Sequence, residues 1–437
     1  MARHKCIGIR QTLTTLLPKA EIERLAHESG AIRRRRKVDA SAMLWTVLLG
    51  FGTGRERTLA GLRRTYERVT GKSLVPSSFY DRFSTELARM FRAVLRELMT
   101  KLAASEGRYC GVLEGFRDVL VADATVVKLH RLLARRFPGT RKNSSPAAAK
   151  LHLVMSASGT GAHKVKVTGE RANDHRTLQM GPWVEGRLLL FDLGYFRYQL
   201  FDAINRNGGY FITRLAANAD PCIVATHRQW RGRCIELVGK RLKEVAGRLN
   251  RDVLDVEVEV AFKRRVYGGI RRTARRRLRL VAVRLPESSE YRFYLTNIDP
   301  ESLDAPSVAQ TYAARWQIEL IFKELKSHYR LNELPTRKAH IVETLLLGAV
   351  ITLLVSRRLL HAVQERLRCT SYKMPEQRWA AIFAAAAPAI LDIVLLPPRV
   401  SKVIARRLES MLLHEAPDPN RSRQLLLERV ERGAAWA

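Results

Sequence analysis

Cysteine is scarce and unpatterned in this chain. Its five residues, Cys6, Cys110, Cys222, Cys234 and Cys369, are scattered through 437 positions without a Cys-x-x-Cys pair. An odd, dispersed set fits reduced thiols and excludes both a disulfide framework and a zinc ribbon. His130, His152 and His163 lack the helical or Cys-paired spacing of a zinc site. Long apolar runs are also missing: the longest, from Leu345 to Val355, falls short of the roughly 20 residues that cross a bilayer and reads as a buried helix. Arg3, His4 and Lys5 are not followed by an apolar segment, which argues against a secretion signal. Internal repeats and long low-complexity tracts are absent. Acidic residues are in deficit, 42 against 77 lysines and arginines, for a formal charge of +35. Such an excess calls for a polyanionic partner. Nucleic acid is favoured over an anionic membrane surface, because the charge is spread over folded-looking segments and not confined to one amphipathic arm.

What is present suggests several packed units, since 437 residues with 46% hydrophobic content exceed one ordinary domain. Residues 10 to 105 read as helices, with Leu17, Ile22 and Leu25, then Met43, Leu44, Val47 and Leu48, spaced for one apolar face. A helix start is expected at Val75-Pro76-Ser77-Ser78, with DNA contact and a purely structural role evenly matched. The run Arg33, Arg34, Arg35, Arg36 is a phosphate-binding candidate, the plainer alternative being a solvated loop. From about residue 116 short β-rich runs follow one another: 119–129, 151–156, 164–167, 188–191 and 210–214, with a helical stretch at 199–205. That order suits a mixed sheet in which three antiparallel strands precede parallel additions. Two further alternating runs, 253–262 and 278–285, flank a basic hairpin-like segment turning at Gly268-Gly269 and read as an all-β insertion. Its arginines, Arg271, Arg272, Arg275, Arg276, Arg277 and Arg279, are expected to track a DNA backbone, the plainer alternative being a solvated hairpin. Beyond Asp304 the pattern is helical again. The fold class expected is therefore α/β (α+β).

Cleaving a phosphodiester near neutral pH needs an activated oxygen and charge stabilisation on the entering and leaving oxygens, which two Mg²⁺ ions supply. Mg²⁺ is hard and takes oxygen ligands, so the acids sought are those placed on or ending apolar strands. Asp123 follows Val119-Leu120-Val121-Ala122, and Asp192 follows Leu188-Leu189-Leu190-Phe191. After Asp192, Gly194 is expected to let the chain turn away and leave the acid at the strand's carboxyl end. Each aspartate alone is a weak signal, since an aspartate ending a strand is more often a helix or turn cap. A third acid stands in Tyr312-Ala-Ala-Arg315-Trp-Gln-Ile-Glu319-Leu-Ile-Phe-Lys-Glu-Leu-Lys326. On a continuous helix Arg315, Glu319 and Lys326 fall at about 300°, 340° and 320° from Tyr312, one stripe with a carboxylate between cations. Ala314, Ile318, Ile321 and Leu325 form a separate packing face. Glu324 points away from the stripe, and Asp174 is assigned to capping the helix after it. From geometry alone, an amphipathic helix with a solvated charged face is the better explanation of the stripe.

Tyr, two residues, Arg, three residues, Glu, six residues, Lys resembles without a mismatch the signature of bacterial insertion-sequence transposases of the insertion sequence four family. Asp123-Ala-Thr and Asp192-Leu-Gly-Tyr-Phe are similar to that family's two catalytic aspartate motifs. The resemblance covers roughly residues 115 to 345. It implies a ribonuclease H-like core with Asp123, Asp192 and Glu319 holding two Mg²⁺ ions, Mn²⁺ being a substitute. It further implies that Tyr312, Arg315 and Lys326 contact phosphates at the transposon end. The partner implied is double-stranded DNA, as terminal inverted repeats and as target, bound by a homodimer in the bacterial cytoplasm at the nucleoid. No membrane and no small-molecule substrate is expected. The reaction implied is in-line attack by water at the element's end, freeing a 3′-hydroxyl that attacks target DNA. Relatives hold a flipped base on an insertion-domain aromatic; Trp230, Tyr267 and Tyr291 are candidates, with core packing the alternative for each.

The expected organisation is a helical DNA-binding region at 1–112, a catalytic core at 113–218 and 291–345, a β-rich insertion at 219–290, and a helical region at 346–437 suited to dimerisation. Two other functions remain open from sequence. One is a ribonuclease H-like nuclease that cuts without joining; the other is a DNA-binding derivative that has lost catalysis, against which the complete set of acids argues.

Overall fold

The computed structural model describes residues 8–32, 38–103, 109, 111–140, 145–158, 161–227, 236–264, 273–285, 288, 290–367 and 374–418. Helices α1 (Ile9–Leu16), α2 (Lys19–Glu28), α3 (Ala40–Thr46), α4 (Leu59–Thr70), α5 (Pro76–Tyr80) and α6 (Thr85–Ala103) come first. Strands β1 (Asp118–Lys128), β2 (Ala148–Ser156) and β3 (Ala162–Gly169) follow. Next come the short helix α7 (Asp174–Thr177), β4 (Arg187–Phe191), α8 (Tyr198–Arg206), β5 (Tyr210–Arg214) and β6 (Cys222–Thr226). After α9 (Leu242–Ala246) lie β7 (Val253–Lys263), β8 (Thr273–Arg284) and β9 (Tyr291–Thr296). The last helices are α10 (Ala305–Ala313), α11 (Trp316–Ser327), α12 (Ala339–Leu367), α13 (Glu376–Leu395) and α14 (Pro398–Glu415).

Among the described residues nine strands form one mixed sheet in the order β3-β2-β1-β4-β5-β9-β8-β7-β6. The first three pair antiparallel, and β4 and β5 add in parallel to β1. Strand β9 then reverses the direction, and β8, β7 and β6 continue antiparallel from it. The strands expected as an insertion of their own thus extend the same sheet, joined through β9. The short helix α9 lies in the insertion as well, so that segment is not purely β.

Alternation along the strands gives the sheet two apolar faces. Val119, Val121, Leu188, Leu190, Ile212 and Val281 face the helices of both chain ends. Leu120, Ala122, Leu189, Phe191, Phe211 and Leu280 face α8 and α9. On the first face α12 is the hub. Helices α6, α1 and a π-helical turn at Val47–Phe51 pack against it, and α1 also meets α13. Thr352 of α12 donates its hydroxyl to the Leu48 carbonyl at 2.9 Å. Gly52 allows that approach, because a Cβ there would fall 2.0 Å from the Thr352 Oγ1. The described residues of the helical regions at the two ends therefore contribute to one hydrophobic core. Helices α12 and α13 are long and apolar enough to cross a membrane, but most of the apolar stretch of each is buried within this fold.

Helix α5, the candidate recognition helix, has only five residues, begins with Pro76 after Val75, and buries Phe79. Arg33, Arg34, Arg35 and Arg36 lie outside the described residues.

Candidate active site

Parallel strands β1 and β4 are in register with Ala122 opposite Phe191. The next residue along each is an aspartate, so Asp123 and Asp192 stand on neighbouring strand positions about 5 Å apart. By strand alternation both belong to the face of Val121 and Leu190, where α11 packs over β1 and carries Glu319. Asp192 precedes a 3₁₀ turn, Leu193–Tyr195, closed by the Tyr195 amide donating to the Asp192 carbonyl at 3.0 Å. Gly194 in that turn has no positive φ and open space around it. The expected need for glycine is therefore not met by backbone geometry; the turn itself redirects the chain.

The Ala124 amide donates to Asp123 Oδ1 at 2.7 Å. Burial pushes the Asp123 carboxyl up to about 6 from 3.8, with the Ala124 amide pulling the other way. Asp192 and Asp174 add to the rise, and Arg315 opposes it. Burial first, and the charges of the same three aspartates next, drive the Tyr195 hydroxyl upward. Two neighbours that sequence reading left outside the site are thus drawn to it. Tyr195 carries its signal in the Asp192-Leu-Gly-Tyr-Phe motif. Asp174 corrects an expectation: the residue before α7 is Asn173, and Asp174 opens the helix without capping it. It accepts from Lys150 Nζ at 3.1 Å and lies 3.4 Å from His152 Nδ1.

The signature segment is not one helix. The Ala314, Arg315 and Gln317 amides donate to the carbonyls three residues back, a tight turn that separates α10 from α11. Helix α10 packs on β5, β7 and β8 while α11 lies over β1. Successive strands of a twisted sheet rotate by about 20° or more, so one straight helix could not follow both regions. Tyr312, at the end of α10, is buried and donates its hydroxyl to the Phe191 carbonyl at 3.1 Å, which ties the helix to the residue before Asp192. Arg315 donates from Nη2 to Glu319 Oε1 at 2.6 Å. Lys326 follows two turns later, partly exposed. Glu324, on the other side of α11, is fully buried against Arg357 of α12, which also meets Glu376 of α13 at 2.9 Å. Its carboxyl is pushed up to about 7 by burial, against the pull of Arg357.

Beside this turn opens a groove of about 490 Å³ lined by Arg214, Arg284, Arg292, Arg315, Tyr294 and Tyr312, with Trp316 half exposed at its edge. Sequence reading missed Arg214 and Arg292; only Trp316, next to Arg315, had a signal. The described part of the basic series, from Arg275 to Arg279, lies in strand β8, whose alternation divides it. Arg275 and Arg277 are exposed, beside Glu259 and Glu257. Arg276 turns to the opposite face and is committed to the buried Asp202 at 2.6 Å, together with Arg264 and Arg206. Arg279 is buried, donates to both oxygens of Asp255 and to the Ile298 and Leu303 carbonyls, and cannot track DNA. Arg271, Arg272, Trp230 and Tyr267 lie outside the described residues. The Tyr291 hydroxyl is engaged with Arg284 and with the Arg251 carbonyl.

A sequence model of the family described as Transposase DDE domain matches residues 114–355, more than half of the chain and the whole of this site. The chain belongs to the DDE transposases. It is 24% identical over 372 residues to the transposase for insertion sequence element IS1151 of Clostridium perfringens, spanning 77% of each chain. With the transposase for insertion sequence element IS231F of Bacillus thuringiensis subsp. israelensis it shares 23% over 367 residues, 76% of this chain and 75% of that one. A putative transposase, y4zB, of Sinorhizobium fredii is 24% identical over 238 residues, 54% of this chain and 60% of its own. The protein is therefore a bacterial insertion-sequence transposase, an enzyme that acts on DNA.

Such transposases use divalent metal ions, and the donor chemistry here suits them. Asp123 and Asp192 are hard oxygen donors whose mutual repulsion a cation would relieve. Among the described residues, no three His, Cys, Asp or Glu side chains stand together closely enough to hold a metal ion. Glu319 is instead paired with Arg315.

Proposed function

We propose that this transposase cuts DNA at the ends of its element and joins the freed 3′-hydroxyls to target DNA, using Asp123, Asp192 and Glu319 on a ribonuclease H-like core. The observation that carries this reading is the β1–β4 register, which sets Asp123 beside Asp192 beneath the helix bearing Glu319. The sheet order β3-β2-β1-β4-β5, three antiparallel strands and then two parallel ones, supports the proposed core. We take residues 113–218 and 291–345 as the catalytic part.

Asp123, Asp192 and Glu319 would hold two Mg²⁺ ions, with Mn²⁺ as a substitute. Ions bound there supply activation of the attacking oxygen and charge stabilisation on the leaving oxygen. The protein's own share is orientation and charge. Arg315 and Lys326 are suited to phosphate oxygens of the transposon end, Arg315 by its planar fork and Lys326 as a point charge. Tyr312 acts by holding α10 on the Phe191 carbonyl and so fixing where Arg315 begins α11. Exposed Arg275 and Arg277 extend a cationic surface along β8. We place the protein in the cytoplasm, acting as a homodimer on double-stranded DNA, because joining two ends requires two sites.

The test is replacement of Asp123, Asp192 and Glu319 singly by Ala, with cleavage and joining of labelled terminal-repeat duplexes read on gels. Each change should lower cleavage by at least about a thousandfold while end binding persists. Unchanged cleavage in any of the three would remove that residue from the site. Hydrolysis without joined product in the unaltered protein would favour a nuclease that only cuts.

A further inference from the structure

Arg315 stands among all three acids of the proposed site. It donates to Glu319 at 2.6 Å, the two side chains being 17% and 35% exposed. Its charge also reaches Asp123 and Asp192. A guanidinium fork fits a phosphate as well as it fits a carboxylate. The same arginine opens on the groove of Arg214, Arg284 and Arg292, where no carboxylate is among the lining residues, so an incoming phosphate meets cations up to Arg315. Arg315 and a metal ion draw on the same carboxylate charge, so Glu319 held through Oε1 by the arginine is a weaker metal ligand.

We propose that Arg315 is a positioning residue that holds Glu319 away from Asp123 and Asp192 until a DNA phosphate replaces the carboxylate, so that divalent ions and transposon-end DNA bind cooperatively. This rests on the site reading given above. Exchange of one anion for another at Arg315 leaves its charge compensated throughout and delivers Glu319 to the aspartates only when substrate is in place. Linkage requires the effect to be reciprocal: DNA raises metal affinity by the same factor by which metal raises DNA affinity. A transposase without an end would then lack a complete cutting centre, which protects other DNA.

The experiment uses the full-length protein and measures Mn²⁺ binding by electron paramagnetic resonance, with and without a terminal-repeat duplex ending in a 3′-dideoxynucleotide, which cannot react. The unaltered protein should bind Mn²⁺ at least about tenfold more tightly with the duplex than without it. Arg315→Gln should bind Mn²⁺ without DNA about fivefold more tightly than the unaltered protein, the scale of one partly buried ion pair. That gain should vanish when Arg315→Gln is made on Glu319→Gln, since a cycle isolates the pair from a general loss of positive charge. Conversely, Glu319→Gln should strengthen metal-free end binding about fivefold, and not when Arg315 is already Gln. No gain in Arg315→Gln, a gain that survives on Glu319→Gln, or equal Mn²⁺ affinity with and without DNA overturns the proposal. If Asp123→Asn and Asp192→Asn also leave Mn²⁺ binding unchanged in both states, the site assignment falls, not only the role of Arg315.

Discussion

At Asp123 burial and function pull in opposite directions. Burial first, then Asp192 and Asp174, raise its carboxyl to about 6 in the folded chain, from 3.8. A raised carboxyl pKa means that folding takes up a proton between those values, so the protonated form favours the fold and that contribution is lost as pH rises through about 6. Asp123→Asn removes the charge without removing volume. It should therefore stabilise the metal-free, DNA-free protein by roughly 2 kcal/mol at pH 8 and by little at pH 4. Thermal melts at the two pH values check this, and an equal effect at both would refute the account. The two aspartates were legible because each follows a run of four apolar residues. Asp174, at the start of α7, reads as a cap because its partners, Lys150 and His152, lie more than 20 positions away on β2.

Among the elements, strand β8 shows how a period of two divides one basic run into different roles. Arg275 and Arg277 point outward, while Arg276 neutralises Asp202, which is 3% exposed. Arg277→Ala should weaken DNA binding and reduce the slope of affinity against salt by about one, with little change in stability. Arg276→Ala should instead destabilise the fold by about 1–3 kcal/mol, because Asp202 loses one of its arginines, with a smaller change in salt slope. Titrations at several salt concentrations together with urea unfolding separate the two; matching behaviour would mean that the strand's alternation does not govern function. Most strands are legible in the sequence to within a few residues. Strands β6 and β9 escaped it, β6 being short with an exposed end and β9 alternating polar and apolar residues only weakly. The break between α10 and α11 escaped as well, since helical periodicity runs through it unmarked and the twist of the sheet beneath decides where the chain must bend.

For the whole molecule, the shared core is the main departure from expectation. Helix α6 buries Phe91, Val94 and Leu98, and the π-helical turn buries Val47 to Phe51, in the cluster that contains α12 and α13. Residues 1–112 expressed alone should consequently remain without cooperative structure. Circular dichroism and amide-proton NMR dispersion test this: a sharp thermal transition and dispersed spectrum would establish an independent domain. The arrangement connects the N-terminal helices mechanically to α12, which holds α11 through Arg357 and Glu324.

The sequence alone determined the charge that calls for DNA, the apolar strands that carry Asp123 and Asp192, and the spacing of Tyr312, Arg315, Glu319 and Lys326, because each is local in the chain. Register and packing decided the rest. Only pairing of β1 with β4 brings the two aspartates together across some 70 intervening positions, only the folded sheet distinguishes Arg276 from Arg277, and only side-chain competition assigns Glu319 to Arg315. Those outcomes depend on distances between residues remote in sequence, which no local pattern encodes.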